Sequence, residues 1–130
     1  MHNEQYANSG HGTPLPLNDI HTLSYQSTPI RFALIDGQPW FVAADVCKAV
    51  GVYNPRYGAA KYARAIADSE KMLGRLPNVL RGAPAVLVIS ERGLDKLLWL
   101  ALHSVNEAWP VLSSINAQAS SLITKEAADV

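Results

Sequence analysis

Seven of the chain's 11 basic side chains fall between Lys48 and Arg81: Lys48, Arg56, Lys61, Arg64, Lys71, Arg75 and Arg81. Two acidic residues, Asp68 and Glu70, interrupt them, in a protein whose formal net charge is zero. Tyr53, Tyr57 and Tyr62 are interleaved with the first four. Guanidinium and ammonium groups neutralise phosphates, and polyanion binding responds to local rather than total charge. A tyrosine ring adds a surface that stacks on a base or packs against a sugar. The chemistry this pattern offers is nucleic-acid recognition; a solvated helix face with no further role is the alternative reading of such a run.

Residues 39–56 must position these groups. Trp40-Phe41-Val42 reads as a strand whose successive side chains point to opposite faces, Phe41 into the core. Asp45 then falls in the first turn of a helix, where its charge complements the dipole, Val46, Ala49 and Val50 share an apolar face, and Gly51 suits the C-cap. Asn54 suits an N-cap and Pro55 a first helical position, so a second helix is expected from Pro55 to about Ile66. Two helices joined by Val52 to Asn54 cross steeply and leave the second one's outer face open to a DNA groove. Asn54, Arg56, Tyr57, Lys61 and Arg64 would lie on or beside that helix, with Lys48, Arg75 and Arg81 placed for phosphates. A helical hairpin that only closes a core has the same spacing.

The remainder suggests an α+β fold of small antiparallel hairpins packed with this short helix pair and a long amphipathic helix. Residues 1–27, rich in Asn, Ser, Gly, His and Pro, read as a flexible arm with at most local order around Leu15, Leu17, Ile20 and Leu23. A domain spans residues 28–104. In it, Ile30, Phe32 and Leu34 alternate with Arg31 and Ala33, Asp36-Gly37 is a hairpin turn, and Met72–Leu76 with Ala85–Ile89 suggest a second hairpin with Arg75 and Arg81 near its turn. Ser90 caps a helix in which Leu94, Leu97, Leu98, Ala101 and Leu102 keep helical spacing, with His103 near its end. Residues 105–130 read as a helical extension in which Trp109-Pro110 breaks or kinks the pattern, and Val111, Leu112, Ile115, Ala119 and Leu122 make a face that packs in cis or forms a dimer seam.

Composition narrows the function classes. At 130 residues and 48% hydrophobic, the chain can bury one sizeable core. It lacks a run of about 18 apolar residues, and a start at His2, Asn3, Glu4 and Gln5 is unlike a secretory signal, so no membrane partner and an intracellular location are expected. Cys47 has no disulfide partner and reads as a small core residue. His2, His11, His21 and His103 show no metal-ligand spacing with each other or with Cys47. Gly51, Gly58, Gly74 and Gly82 are isolated, so no phosphate loop is present. Neither catalysis, a metal nor a cofactor is expected.

One resemblance rests on particular residues. The run Gly37-Gln38-Pro39-Trp40-Phe41-Val42-Ala43-Ala44-Asp45-Val46-Cys47, the steps Val50-Gly51-Val52 and Asn54-Pro55-Arg56, and the later Ile89-Ser90-Glu91-Arg92-Gly93-Leu94 resemble the BRO N-terminal domain of phage antirepressors and baculovirus repeated-ORF proteins. The likeness covers about residues 28–103. It implies an α+β DNA-binding domain acting in transcriptional control or as an antirepressor, often fused to a variable second domain, with no catalytic residues. The family's basic segment after its long helix is only echoed here, by residues 106–115 without an arginine following. No second domain follows here, so its contribution is expected from another protein or from self-association.

The expected function is therefore a double-stranded DNA-binding module of a phage or prophage antirepressor-like regulator. The competing expectation is an interaction module that sequesters a repressor without binding DNA, through Trp109, Leu112 and Ile115. A homodimer is compatible with either.

Overall fold

The computed structural model describes residues 14–56, 59–77 and 85–128. Strands β2 (Ile20–Tyr25), β3 (Thr28–Ile35) and β4 (Gln38–Val42) form an antiparallel meander. Asp36 and Gly37 connect β3 to β4 with φ of 54° and 79°, the two positive values that match a hairpin to the twist of its strands. Gln26 and Ser27 connect β2 to β3 in the same way, at 50° and 70°, without the Asn or Gly that would announce the turn.

Strands β1 (Leu15–Pro16), β5 (Lys71–Arg75) and β6 (Val86–Ile89) complete one six-stranded sheet in the order β1-β5-β6-β4-β3-β2. Only β1 and β5 run parallel. The expected hairpins thus merge into a single mixed sheet. The outer strands β1 and β2 are separated by only Leu17 to Asp19. Laid flat, six strands would hold them about 24 Å apart, whereas this link spans at most about 14 Å, so the sheet must coil strongly. The link is tied down at both ends, Leu17 N–H to Arg75 O at 2.9 Å and Leu34 N–H to Asp19 O at 3.3 Å. Leu17, 2% exposed, closes the concave side over Ala33, Val42 and Val88, a burial that stabilises by about 2 kcal/mol. Gly74 leaves room for it: a Cβ there would meet Leu17 Cδ1 at 2.5 Å.

Order therefore begins well before Thr28, which corrects the arm expected through residue 27. The strand Ile20–Tyr25 buries only Leu23 fully, so its sequence carries little alternation, and pairing with β3 makes it a strand. The expectation for residues 1–13 lies outside the described residues.

Helices cover the other face. Helix α1 (Ala43–Ala49) follows β4 without a loop and ends at Gly51, φ 79°. Helix α2 (Ala60–Ala63) is one turn; a 3₁₀ turn at Asp68–Glu70 precedes β5. Helix α3 (Glu91–Leu102) is capped by Ser90, whose Oγ accepts from Gly93 N–H, and ends on His103 in the left-handed region at φ 57°. Helix α4 (Val105–Ala128) lies on α3 and β2. Phe32, Phe41, Ile89, Val46, Leu94, Leu97, Leu98 and Ile115 are fully buried between sheet and helices. The expected break at Trp109-Pro110 does not occur. Pro110 removes one hydrogen bond, to the Asn106 carbonyl, and the burial of Ala108, Val111, Ile115 and Ala119 holds the helix through it. No helix among the described residues is long and apolar enough to cross a membrane.

Candidate nucleic-acid interface

Asn54-Pro55-Arg56 does not start a helix. Asn54 Oδ1 accepts the Arg56 N–H at 2.8 Å, a tight turn in which all three residues are exposed. Asn-Pro favours such a turn as readily as a helix start, and Gly58 in what would be the first helical turn removes further support. The helix expected over residues 55–66 is reduced to α2, about 6 Å long. This corrects the helix-turn-helix expectation: α2 is too short to lay several side chains along a major groove.

The cations nevertheless stand on the surface. Lys48, in the last turn of α1, holds Nζ 4.8 Å from the centre of the Tyr53 ring, and Lys61 on α2 holds its own 5.7 Å from that of Tyr62. Both rings are half-buried against the main core. Arg64 ends α2, exposed. Exposed Arg75 ends β5; strand alternation puts it on the same sheet face as Lys71, whose Nζ donates to Ala63 O at 2.8 Å and so ties α2 to β5. Tyr57 and Arg81 lie outside the described residues.

The two carboxylates of the basic run are occupied. Asp68 pairs with Lys71 Nζ at 3.7 Å, while the Glu70 carboxylate accepts from Ser69 Oγ and from Ser90 Oγ. Among the described residues, no carboxylate lies within ion-pair distance of Lys48, Lys61, Arg64 or Arg75. Each such group is a solvated cation able to neutralise a phosphate.

Other residues prove to be scaffold. Asp45, 6% exposed, accepts Arg31 Nε at 2.7 Å and N–H at 3.0 Å through Oδ2, and Nη2 at 2.9 Å through Oδ1. The pairing of β4 with β3 ends at Phe41 opposite Phe32, one register step short of Arg31, and the carboxylate supplies the acceptor that the ladder no longer offers. This bidentate contact raises the guanidinium pKa. No local pattern announces it, because the partners are 14 positions apart. Ser90-Glu91-Arg92-Gly93 is likewise structural: a Cβ on Gly93 would meet Glu70 O and Ile89 Cβ at 2.9 Å, so glycine lets α3 press onto the 3₁₀ turn.

The expected partner surface divides. Trp109 is 63% exposed and Leu112 half-buried, but Ile115 is 0% exposed and belongs to the core, a correction that follows from the docking of α4 on α3 and β2. Cys47 is fully buried, and desolvation pushes its thiol up to about 11, leaving it protonated and unreactive near neutral pH. A groove of about 580 Å³ beside the start of α3 is lined by Trp40 and Met72 with Asp36, Glu70, Glu91 and Arg92, an acidic excess that disfavours a polyanion. Comparison with protein-family models, with curated proteins and with solved structures returns no match.

Proposed function

We propose that the protein is a DNA-binding module of an antirepressor-like regulator, as its resemblance to phage antirepressor domains implies. The observation that carries this reading is the set Lys48, Lys61, Arg64 and Arg75, exposed and without carboxylate partners among the described residues, in a chain of zero net charge. The mode of contact is to phosphates: cations on a helix end, a one-turn helix and a strand end track a backbone, and the helix that carries Lys61 is too short to lay several side chains on base edges. Tyr53 and Tyr62 hold two of the lysines over their rings and so limit the volume those side chains sweep.

Duplex binding measured against salt tests the reading. With about three to five phosphates neutralised, log K against log salt should fall with a slope of about −3 to −4.5. The double substitution Lys61→Ala with Arg64→Ala should flatten that slope by about 2. A duplex affinity that is salt-independent, or unchanged in this variant, overturns the proposal.

Exposed Trp109 favours a second reading, capture of a repressor protein. Removing residues 105–130 cannot decide between them, since it would strip Val111, Ile115 and Ala119 from the core. The point substitution Trp109→Ala, with Leu112→Ala, separates the two: it abolishes capture of a repressor and spares duplex binding.

A further inference from the structure

We propose, independently of the DNA reading, that the outer face of α4 pairs antiparallel with the same face of a second copy. Asn106, Pro110, Ser113, Ala117, Ser120 and Thr124 follow one another at alternating steps of four and three along the side of α4 away from its buried residues, the spacing of a helix–helix seam. No charged residue occurs from Ala108 to Thr124. A helix face kept in water ordinarily carries charges, whereas their depletion beside an exposed tryptophan marks a face covered by protein. Trp109 flanks this seam at 63% exposure.

Charge selects the occupant. Glu107 and Lys125, both exposed, lie 18 positions apart, which is five helical turns, on the flank opposite Trp109. Antiparallel pairing about a two-fold axis near Ile115 and Asn116 brings Glu107 of one copy level with Lys125 of the other, twice. It also sets Pro110 opposite Ser120, Ser113 opposite Ala117, and Trp109 over the half-buried Ile123 and small Ser120. Small residues along the seam let the helices approach closely, and the tryptophan fills the flank. A parallel pair would instead set the Glu107 flank of one copy against the Trp109 flank of the other and leave Glu107 and Lys125 five turns apart.

Sedimentation of the full chain over a range of concentrations tests this, with far-UV circular dichroism as the control for folding. The wild type should show a concentration-dependent dimer. Ala117→Arg, an exposed position, should retain the helical spectrum and weaken dimerisation by about tenfold or more, since two like charges then meet near the axis. Glu107→Lys and Lys125→Glu should each weaken it, and the two together should restore it. A monomer up to about 0.5 mM, or a dimer indifferent to Ala117→Arg, overturns the proposal; a double variant weaker than either single one overturns the antiparallel arrangement.

Discussion

Arg31 and Arg64 are the same side chain in opposite circumstances. Arg31 is locked to the buried Asp45 by two side-chain bonds and one from its own backbone, whereas Arg64 stands exposed at the end of a one-turn helix and meets no carboxylate among the described residues. A cation enclosed in a bidentate pair belongs to the fold, and its removal is felt as lost stability. A cation left in water contributes almost nothing to the fold and keeps its charge for an outside partner. The same division separates the whole Arg31–α1 corner from the Lys61–Arg64 segment, and substitutions at the two places should give opposite signatures.

The largest effect is expected at Asp45. Asp45→Ala removes the acceptor of three hydrogen bonds and leaves a part-buried guanidinium uncompensated, so urea unfolding should show a loss of about 2–4 kcal/mol. A loss below about 1 kcal/mol would place this pair among ordinary surface contacts and erase the contrast. Cys47, two positions along α1, reports on the burial of the same corner. Its folded thiol keeps a proton up to about pH 11, while the unfolded thiol releases it near 9. Stability should be indifferent to this group below pH 9 and fall between 9 and 11, approaching about 1.4 kcal/mol per unit. The extra slope over Cys47→Ala measures it; equal slopes would mean that α1 opens to water.

Smaller changes sharpen the contrast. Arg31→Lys keeps the charge but gives up the two-pronged contact, and should cost about 1–2 kcal/mol in thermal or urea unfolding. Lys61→Ala with Arg64→Ala should move stability by no more than about 0.5 kcal/mol while changing the salt dependence of duplex binding. A double variant that unfolds early would show that these cations support the fold after all.

Local punctuation was the readable part of the chain. Asp36-Gly37, Gly51 and the Ser90 cap act through backbone preferences of one or a few neighbouring residues, and each appears where its type places it. The strand alternation Ile30-Phe32 and the spacing Leu94, Leu97, Leu98 and Ala101 likewise identify buried faces. Failures cluster where a local signal has two solutions. Asn54-Pro55 suits a helix cap and a turn equally, Pro110 is tolerated once Val111 and Ile115 are buried, and Gln26-Ser27 turns without the Asn or Gly that favours positive φ because β2 and β3 pair on either side.

What the sequence by itself determined is the α+β character of the fold, the turns and caps, and the bias of positive charge toward residues 48–81, all of which depend on residue type and near neighbours. Only the tertiary structure decided that one coiled sheet takes in Leu15 to Tyr25, that Asp45 belongs to Arg31, and that Ile115 is core while Trp109 is surface. The physical reason is the same each time: these outcomes depend on which distant groups compete for one buried acceptor, one strand edge or one hole in the core, and that competition exists only once the chain is packed.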